Sequence, residues 1–386
     1  MKQIRIPAAF MRGGTSKAVM FHQRDLPAER RDRDALFIGA LGSPDRYGRQ
    51  LDGMGGGLSS LSKVCIVGPA THPDADVDYT FAQVQISKAA VDYSAMCGNM
   101  ASAIGPFAID EGLLAASGPE AMVRIHNTNT GKLVHAHFRL DEGLAAVDGE
   151  LEIPGVGAPG SMVRLEFREP GGAITGRLLP TGKVIDTLTV PEVGAVRASL
   201  VDAGIAACFL DAADLGLAGT ELPDVLERSG ELLARLERIR VAASLAMGLA
   251  RTPEEAARRS TPFVGFVSGP RDATLLSGET SRADSMHLTG RMLSNGQPHR
   301  ALPLTASLAM AVAARITGTV VNQVARLPAD PDGEIGIGTP SGVIATTARV
   351  QCRDGQWHAA AGGFCRTQRR LFDGHVYVRA RDLNPA

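Results

Sequence analysis

Short stretches of alternating apolar and polar residues fill most of this chain, and two longer stretches are apolar on every side. In the first half, alternation predicts strands over 3–10 and 17–22, flanking the turn Met11-Arg12-Gly13-Gly14-Thr15-Ser16. Charged and apolar residues at helical spacing predict a helix over 29–41, stopped by Gly42-Ser43-Pro44. Strands are predicted at 64–67, 79–86 and near 90–93. The first wholly apolar stretch, 98–116, reads as a helix containing Pro106, and strands follow at 122–128 and 132–139.

The second half follows a loosely similar plan. Strands are predicted at 162–167, 174–179, 195–201 and 205–210. A charged helix is predicted over 222–249, and a strand over 263–267. The polar stretch 269–284 reads as a loop and 285–293 as helical. The second wholly apolar stretch, 303–315, reads as a helix. Strands are predicted within 333–351, at 356–364 and at 374–379. Each half thus surrounds one apolar helix with short strands. The expected class is α+β: two similar domains, 1–183 and 184–386, with a site between them and the C-terminal segment free to pack back on the first.

Composition narrows the field. A chain of 386 residues that is 44% hydrophobic has room for two ordinary cores. A formal net charge of −1 and 4% aromatics give no case for nucleic acid. No apolar run is long enough to span a membrane, and the N-terminus carries no signal-peptide pattern. Cys65, Cys97, Cys208, Cys352 and Cys365 are odd in number and share no C-x-x-C spacing. Free thiols in a reducing cytoplasm are therefore expected, with no zinc ribbon.

Two residues carry candidate chemistry. Lys63 closes Asp52-Gly53-Met54-Gly55-Gly56-Gly57-Leu58-Ser59-Ser60-Leu61-Ser62 and leads into the apolar strand Val64-Cys65-Ile66-Val67. A lysine there is expected to lose hydration, which suits a general base; a solvated surface charge is the plain alternative. Cys97 opens Cys97-Gly98-Asn99-Met100-Ala101-Ser102-Ala103 at the start of the first apolar helix. A thiol at a helix N-terminus sits beside free N–H groups that favour a thiolate or a bound carboxylate. A buried packing cysteine is the plain alternative.

Arg12, Thr15 and Ser16 give a donor-rich turn suited to a carboxylate or phosphate, and Lys17 competes with Lys63. The turn lacks the phosphate-loop spacing. The glycines at 53–57 are no dinucleotide fingerprint, because a strand follows within ten residues. His299 and Arg300 are either carboxylate ligands or a loop cap. Thr305, Ala306 and Ser307 open the second apolar helix. Arg366 reads as structural, and His135 and His137 as a solvated strand face rather than a metal site. No cofactor and no metal are expected.

The chain resembles the PrpF family of isomerases, which share the diaminopimelate epimerase fold. The resemblance rests on Met11-Arg12-Gly13-Gly14-Thr15-Ser16-Lys17, Gly42-Ser43-Pro44-Asp45, Asp52-Gly53-Met54-Gly55-Gly56, Ser62-Lys63, Asp76-Val77-Asp78-Tyr79, Cys97-Gly98-Asn99, Pro180-Thr181-Gly182, Pro340-Ser341-Gly342 and Arg366-Thr367. It implies two domains, each a rolled, mostly antiparallel sheet around a central helix, with the substrate in the cleft between them. It also implies isomerisation of 2-methylaconitate, methylitaconate or 4-oxalomesaconate.

On that resemblance Lys63 and Cys97 are the catalytic pair. Arg12, Thr15, Ser16, Lys17, Ser62, Gly98, Asn99, Met100, His299, Arg300, Thr305, Ala306 and Ser307 are the substrate-binding candidates. Ala18 stands where many relatives have Gly, and the stretch Asn295-Gly296-Gln297-Pro298-His299-Arg300 departs from members that act on 2-methylaconitate. The partner expected is a small unsaturated di- or tricarboxylate; a homodimer is the assembly considered. An allylic proton shift leads, with cis–trans isomerisation as its alternative. Racemisation is disfavoured, since the second helix opens without a cysteine. An accessory carboxylate-binding protein is the reading from another class.

Overall fold

A computed structural model describes residues 3–294 and 296–380. The chain divides into two compact units. The first holds Met1–Glu152, Ala158–Leu165 and Arg366–Ala386; the second holds Ile153–Gly157 and Glu166–Cys365.

In the first unit, strand Gln3–Gly13 turns tightly into Ser16–His22. That strand runs parallel to Lys63–Pro69, which pairs antiparallel with Val77–Val84. Val77–Val84 runs parallel to Glu120–Asn127, which pairs antiparallel with Lys132–Asp141. Strand Met162–Arg168 pairs with Lys132–Asp141 and with the long strand Gln356–Arg379, which returns to Gln3–Gly13 and closes the ring. Inside lies helix Gly98–Asp110, buried from Gly98 to Ile109. Such burial is open only to a sequence with no polar stripe. Outside, helix Arg30–Leu41 packs Leu36, Phe37, Ala40 and Leu41 against Phe10, Val19, Phe21, Val64, Ile66, Ala82 and Val84.

The second unit repeats this order. Gly194–Asp202 and Ala206–Asp211 are antiparallel, Ala206–Asp211 and Phe263–Ser268 parallel, and Phe263–Ser268 and Leu288–Ser294 antiparallel. Leu288–Ser294 then runs parallel to Ile335–Thr339, which is antiparallel to Gly342–Arg353. In both units a helix on the sheet's other face follows the second of these strands, and the central helix follows the fourth. Here these are Gly230–Ala246 and Leu304–Arg315. The side chain of Leu308 lies against both Gly204 and Gly362, and that of Met310 against Gly290, so strands early and late in the unit wrap one helix. This is the α+β architecture expected of the sequence, a rolled sheet around a central helix in each unit.

Several local expectations are corrected. Residues 285–293 are not helical: Leu288–Ser294 is a strand between two neighbours and buried on both faces. Such a strand loses the alternation that marks a half-exposed one. Residues 174–179 form a turn rather than a strand, because the Asp202 carboxylate accepts the N–H groups of Ile174 and Thr175 at 2.8 and 2.6 Å. The helix predicted over 222–249 is two, Pro223–Glu227 and Gly230–Ala246, with Ser229 capping the second. The first central helix stops at Asp110 rather than 116. The loop at 269–284 contains a two-strand pairing, Ala273–Thr274 with Thr280–Ser281. The strands predicted at 356–364 and 374–379 are one, Gln356–Arg379. Strand Asp186–Val190 was not foreseen. No helix among the described residues is long and apolar enough to cross a membrane.

The central helices give a direct test of packing. Leu308 is fully buried between Gly204, in the turn joining Gly194–Asp202 to Ala206–Asp211, and Gly362 of the strand Gln356–Arg379. Leu308→Ala should lower stability by about 2–5 kcal/mol, a cavity-forming loss, read by chemical denaturation. A change below about 0.5 kcal/mol, the surface range, would contradict an encased helix.

Candidate active site

Strand pairing decides which residues share a face. Lys63 lies opposite Ala18 on one side and Gln83 on the other; Cys65 lies opposite Phe81, and Val67 opposite Tyr79. Alternation therefore puts Lys63, Cys65, Phe81, Tyr79 and Gln83 on the face turned to the central helix, while Val64, Ile66, Ala82 and Val84 face the outer helix. Lys63 is only 8% exposed. Its Nζ donates to Gln83 Oε1 at 2.7 Å and lies 4.8 Å from the centroid of the Phe81 ring.

The glycine-rich segment before Lys63 is organised by Gln50, which is fully buried and left-handed, with φ of 54°. Its amide donates to Ser62 Oγ at 2.7 Å and Ser43 Oγ at 2.9 Å, and accepts from Gly57 N at 3.0 Å. Ser62 Oγ passes the network on to Val84 O. Gly55 is required there: a Cβ would stand 2.3 Å from the Gln50 side chain. Ser62 is thus wholly buried and engaged in holding the segment.

Cys97 is the N-cap of the first central helix and is partly exposed. Its carbonyl accepts the first intrahelical bond, from Ala101 N at 3.0 Å, and a bond from Tyr79 Oη at 3.3 Å. The N–H groups of Gly98, Asn99 and Met100 precede that bond, and the Cys97 side chain does not cap them. Three peripheral helices are capped by the hydroxyl of Ser229, Thr252 or Thr319, while Arg30–Leu41 and Pro223–Glu227 are uncapped as well. An uncapped N-terminus is a ready anion site.

Asn99 closes this end of the helix onto the first turn, accepting from Thr15 N and donating to Thr15 Oγ1, both at 3.2 Å. Gly14, at φ 51°, admits the approach, since a Cβ would lie 2.1 Å from Asn99 Oδ1. Arg12 holds the same turn by donating to Gly14 O and to both oxygens of Thr367. Burial and the neighbouring Arg369 lower its pKa below the usual guanidinium value. Ser16 is buried on the inward face with Ala18, whereas Lys17 alternates to the opposite face. The Lys17 Nζ lies 5.6 Å from the Phe10 ring centroid, so Lys17 and Lys63 are not brought together.

The second-unit candidates fall into two groups. Thr305, Ala306 and Ser307 open the helix Leu304–Arg315, whose N-cap, Pro303, makes no side-chain bond. Its first intrahelical bond runs from Ser307 N to Pro303 O at 2.9 Å, leaving the preceding N–H groups available. His299 bonds Ser294 through Nε2 at 2.6 Å. Arg300 turns to exposed ion pairs with Asp224 at 3.1 Å and Glu227 at 3.8 Å. Asn295 lies outside the described residues. Among the described residues no group of three or more His, Cys, Asp or Glu side chains is placed to hold a metal ion.

Gln50, Phe81 and Gln83 escaped the sequence reading, and Tyr79 and Thr367 entered it only within motifs, without a role. The signal for Gln83 was available: it is a polar residue in phase with Tyr79 and Phe81 on an alternating strand.

A family model described as "PrpF protein" matches residues 3–379. The chain is 43% identical to a 3-methylitaconate isomerase of Eubacterium barkeri, over 99% of each chain. It is 41% identical to a 2-methyl-aconitate isomerase of Cupriavidus necator, over 97% of this chain and 98% of that one. A crystal structure of methylitaconate-delta-isomerase aligns with 100% of this chain and 98% of its own, at a TM-score of 0.79 and 42% identity. A hydroxyproline epimerase structure from Agrobacterium vitis, 14% identical, shares the fold, with a TM-score of 0.56 over 97% of this chain and 92% of its own.

The thiols separate by environment. Burial pushes Cys208 up to about 12 and Cys65 higher still, while Cys352 is exposed and Cys97 and Cys365 partly so. Iodoacetamide at neutral pH should therefore spare Cys65 and Cys208 and label Cys352 and Cys97, as read by peptide mass spectrometry. Carboxylate substrate should protect Cys97 alone. Labelling of Cys65 in the native protein, or protection of Cys352 instead, would contradict this assignment.

Proposed function

Since the chain belongs to the PrpF family, it is an isomerase of unsaturated carboxylates, and we propose that it moves an allylic proton on such a substrate, with Lys63 as base. The observation that carries this reading is Lys63, a residue only 8% exposed, whose amine is held by Gln83 on the strand face turned to the helix that Cys97 begins.

Chemistry follows from that placement. A substrate carboxylate bound at the N–H groups of Gly98, Asn99 and Met100 is held by the positive end of the helix. The same N–H groups spread the negative charge that develops when a conjugated carbon loses its proton. Lys63 takes that proton and leaves a dienolate. Cys97 returns a proton to the far end of the allyl system, so the double bond shifts. Lys63 gives its proton to solvent or back to the Cys97 thiolate, and both groups end as they began. No cofactor enters this scheme.

The substrate proposed is 3-methylitaconate, on the strength of the 43% identity over nearly the whole chain. The second reading is isomerisation of 2-methylaconitate, supported by the 41% identical relative. It uses the same dienolate, with rotation before the proton returns to the carbon that lost it. 4-Oxalomesaconate is the third carboxylate to assay.

Lys63→Ala should abolish turnover of all three. Lys63→Arg should fail nearly as badly, because a guanidinium stays protonated near neutral pH. Cys97→Ser should fold but lose on the order of 10²-fold or more in kcat, the usual share of a general acid or base. Steady-state kinetics with each carboxylate decide the matter. Full turnover by Lys63→Ala would remove the proposed base. Activity on 2-methylaconitate alone would select the second reading.

A further inference from the structure

We infer that Gln83 is a positioning residue for the proton transfer: its side-chain carbonyl holds the Lys63 amine in place and leaves the lone pair of the neutral amine free for the substrate. This rests on the proposed role of Lys63 as base.

A glutamine amide has one acceptor oxygen and one NH2 group with two donors. The Gln83 Nε2 donates to two backbone carbonyls, Ser62 O at 2.8 Å and Ser59 O at 3.1 Å. Carbonyls only accept, so both donors are spoken for and the amide cannot turn over without facing oxygen to oxygen. Oε1 is therefore obliged to face Lys63 Nζ, at 2.7 Å. The anchor is rigid, because Ser59 opens and Ser62 closes the short turn Ser59–Leu61, and Ser62 is itself held by Gln50.

What Gln83 offers suits a base in both of its states. The ammonium donates one N–H to Oε1 and keeps its charge beside the Phe81 ring. After the proton leaves, the amine still has an N–H for Oε1, so the nitrogen stays where it was. Its lone pair cannot be taken up by Gln83, because Oε1 has no proton to give. A serine or a protonated acid in the same place could donate to the amine and quench it.

Few other titratable groups face this amine. Cys65 lies on its own strand, Tyr79 on the neighbouring strand and Cys97 at the start of the helix. The strand Ser16–His22 presents Ser16, Ala18 and Met20, and then His22, which bonds Glu111. Cys65 and Tyr79 are fully buried, and their burial keeps them protonated.

The test compares wild type, Gln83→Met, Gln83→Glu and Lys63→Ala, assayed on 3-methylitaconate across pH, with thermal unfolding to check the fold. Gln83→Met should lower kcat by about 10- to 100-fold, as a mispositioned group does, with KM held within about 3-fold. The acid limb of its kcat/KM profile should move to lower pH, because the ammonium has lost an acceptor. In Gln83→Glu the ionised carboxylate stabilises the ammonium, so the acid limb should move to higher pH and the rate should recover on the alkaline side. A merely structural role would lower Tm and leave both limbs in place. Wild-type kcat and an unmoved limb in Gln83→Met overturn the inference. If that variant does not fold, an unmoved limb in Gln83→Glu does so. Lys63→Ala separates the two levels. Its inactivity, with unmoved limbs in both Gln83 variants, leaves the base in place and removes Gln83 alone, whereas its full activity removes both.

Discussion

A lysine residue that is only 8% exposed needs a fixed acceptor for its amine, and the arrangement of the first unit's inward strand face follows from supplying one. The acceptor is Gln83, whose own donors are tied to the backbone at Ser59 and Ser62. Ser62 is in turn held by Gln50, which also gathers Ser43 and Gly57. One polar network thus runs from the outer helix's C-terminal turn to the Lys63 amine. Gly55 follows from it, since a Cβ there would stand 2.3 Å from the Gln50 side chain, whereas Gly53 and Gly57 are crowded by backbone. A half-satisfied network of this kind would destabilise the segment more than an apolar one would.

The second constraint is the pair of central helices. Each is buried almost throughout and starts without a side-chain cap, a lack they share with the peripheral helices Arg30–Leu41 and Pro223–Glu227. The two units share strand order, strand directions and helix positions, so one plan serves twice. The residues proposed for catalysis are not duplicated. Lys63 and Cys97 belong to the first unit. The second central helix opens with Leu304-Thr305-Ala306-Ser307, which brings helix N–H groups but no thiol. That asymmetry fits a proton shift along an allyl system better than a two-thiol racemisation.

Much of this was legible from residue order. The two apolar stretches announced the central helices, and Cys97-Gly98-Asn99 marked the start of the first. Where the reading failed, burial on both faces was the usual reason. Leu288–Ser294 lies between two strands and under Met310, so its residues carry no period that separates strand from helix. Lys17 and Lys63 were open rivals until register was known: Ala18, not Lys17, lies opposite Lys63. Arg300 was weighed evenly between ligand and loop cap, and its partners Asp224 and Glu227 stand more than seventy positions earlier in the chain. Gln83 was overlooked because a polar residue on a strand is ordinarily assigned to solvent. Only the pairing of Lys63–Pro69 with Val77–Val84 turns it toward the amine.

In the proposed mechanism, catalysis passes through a carbanion formed by loss of a carbon-bound proton. NMR of the wild-type reaction in D2O tests it most directly. The account predicts deuterium from solvent at the carbon that gains a proton in the product. It also predicts slower exchange into recovered substrate at the carbon from which the proton is taken. Product formed with no solvent deuterium at either carbon, under conditions where the free amine and thiol exchange within each turnover, would contradict it.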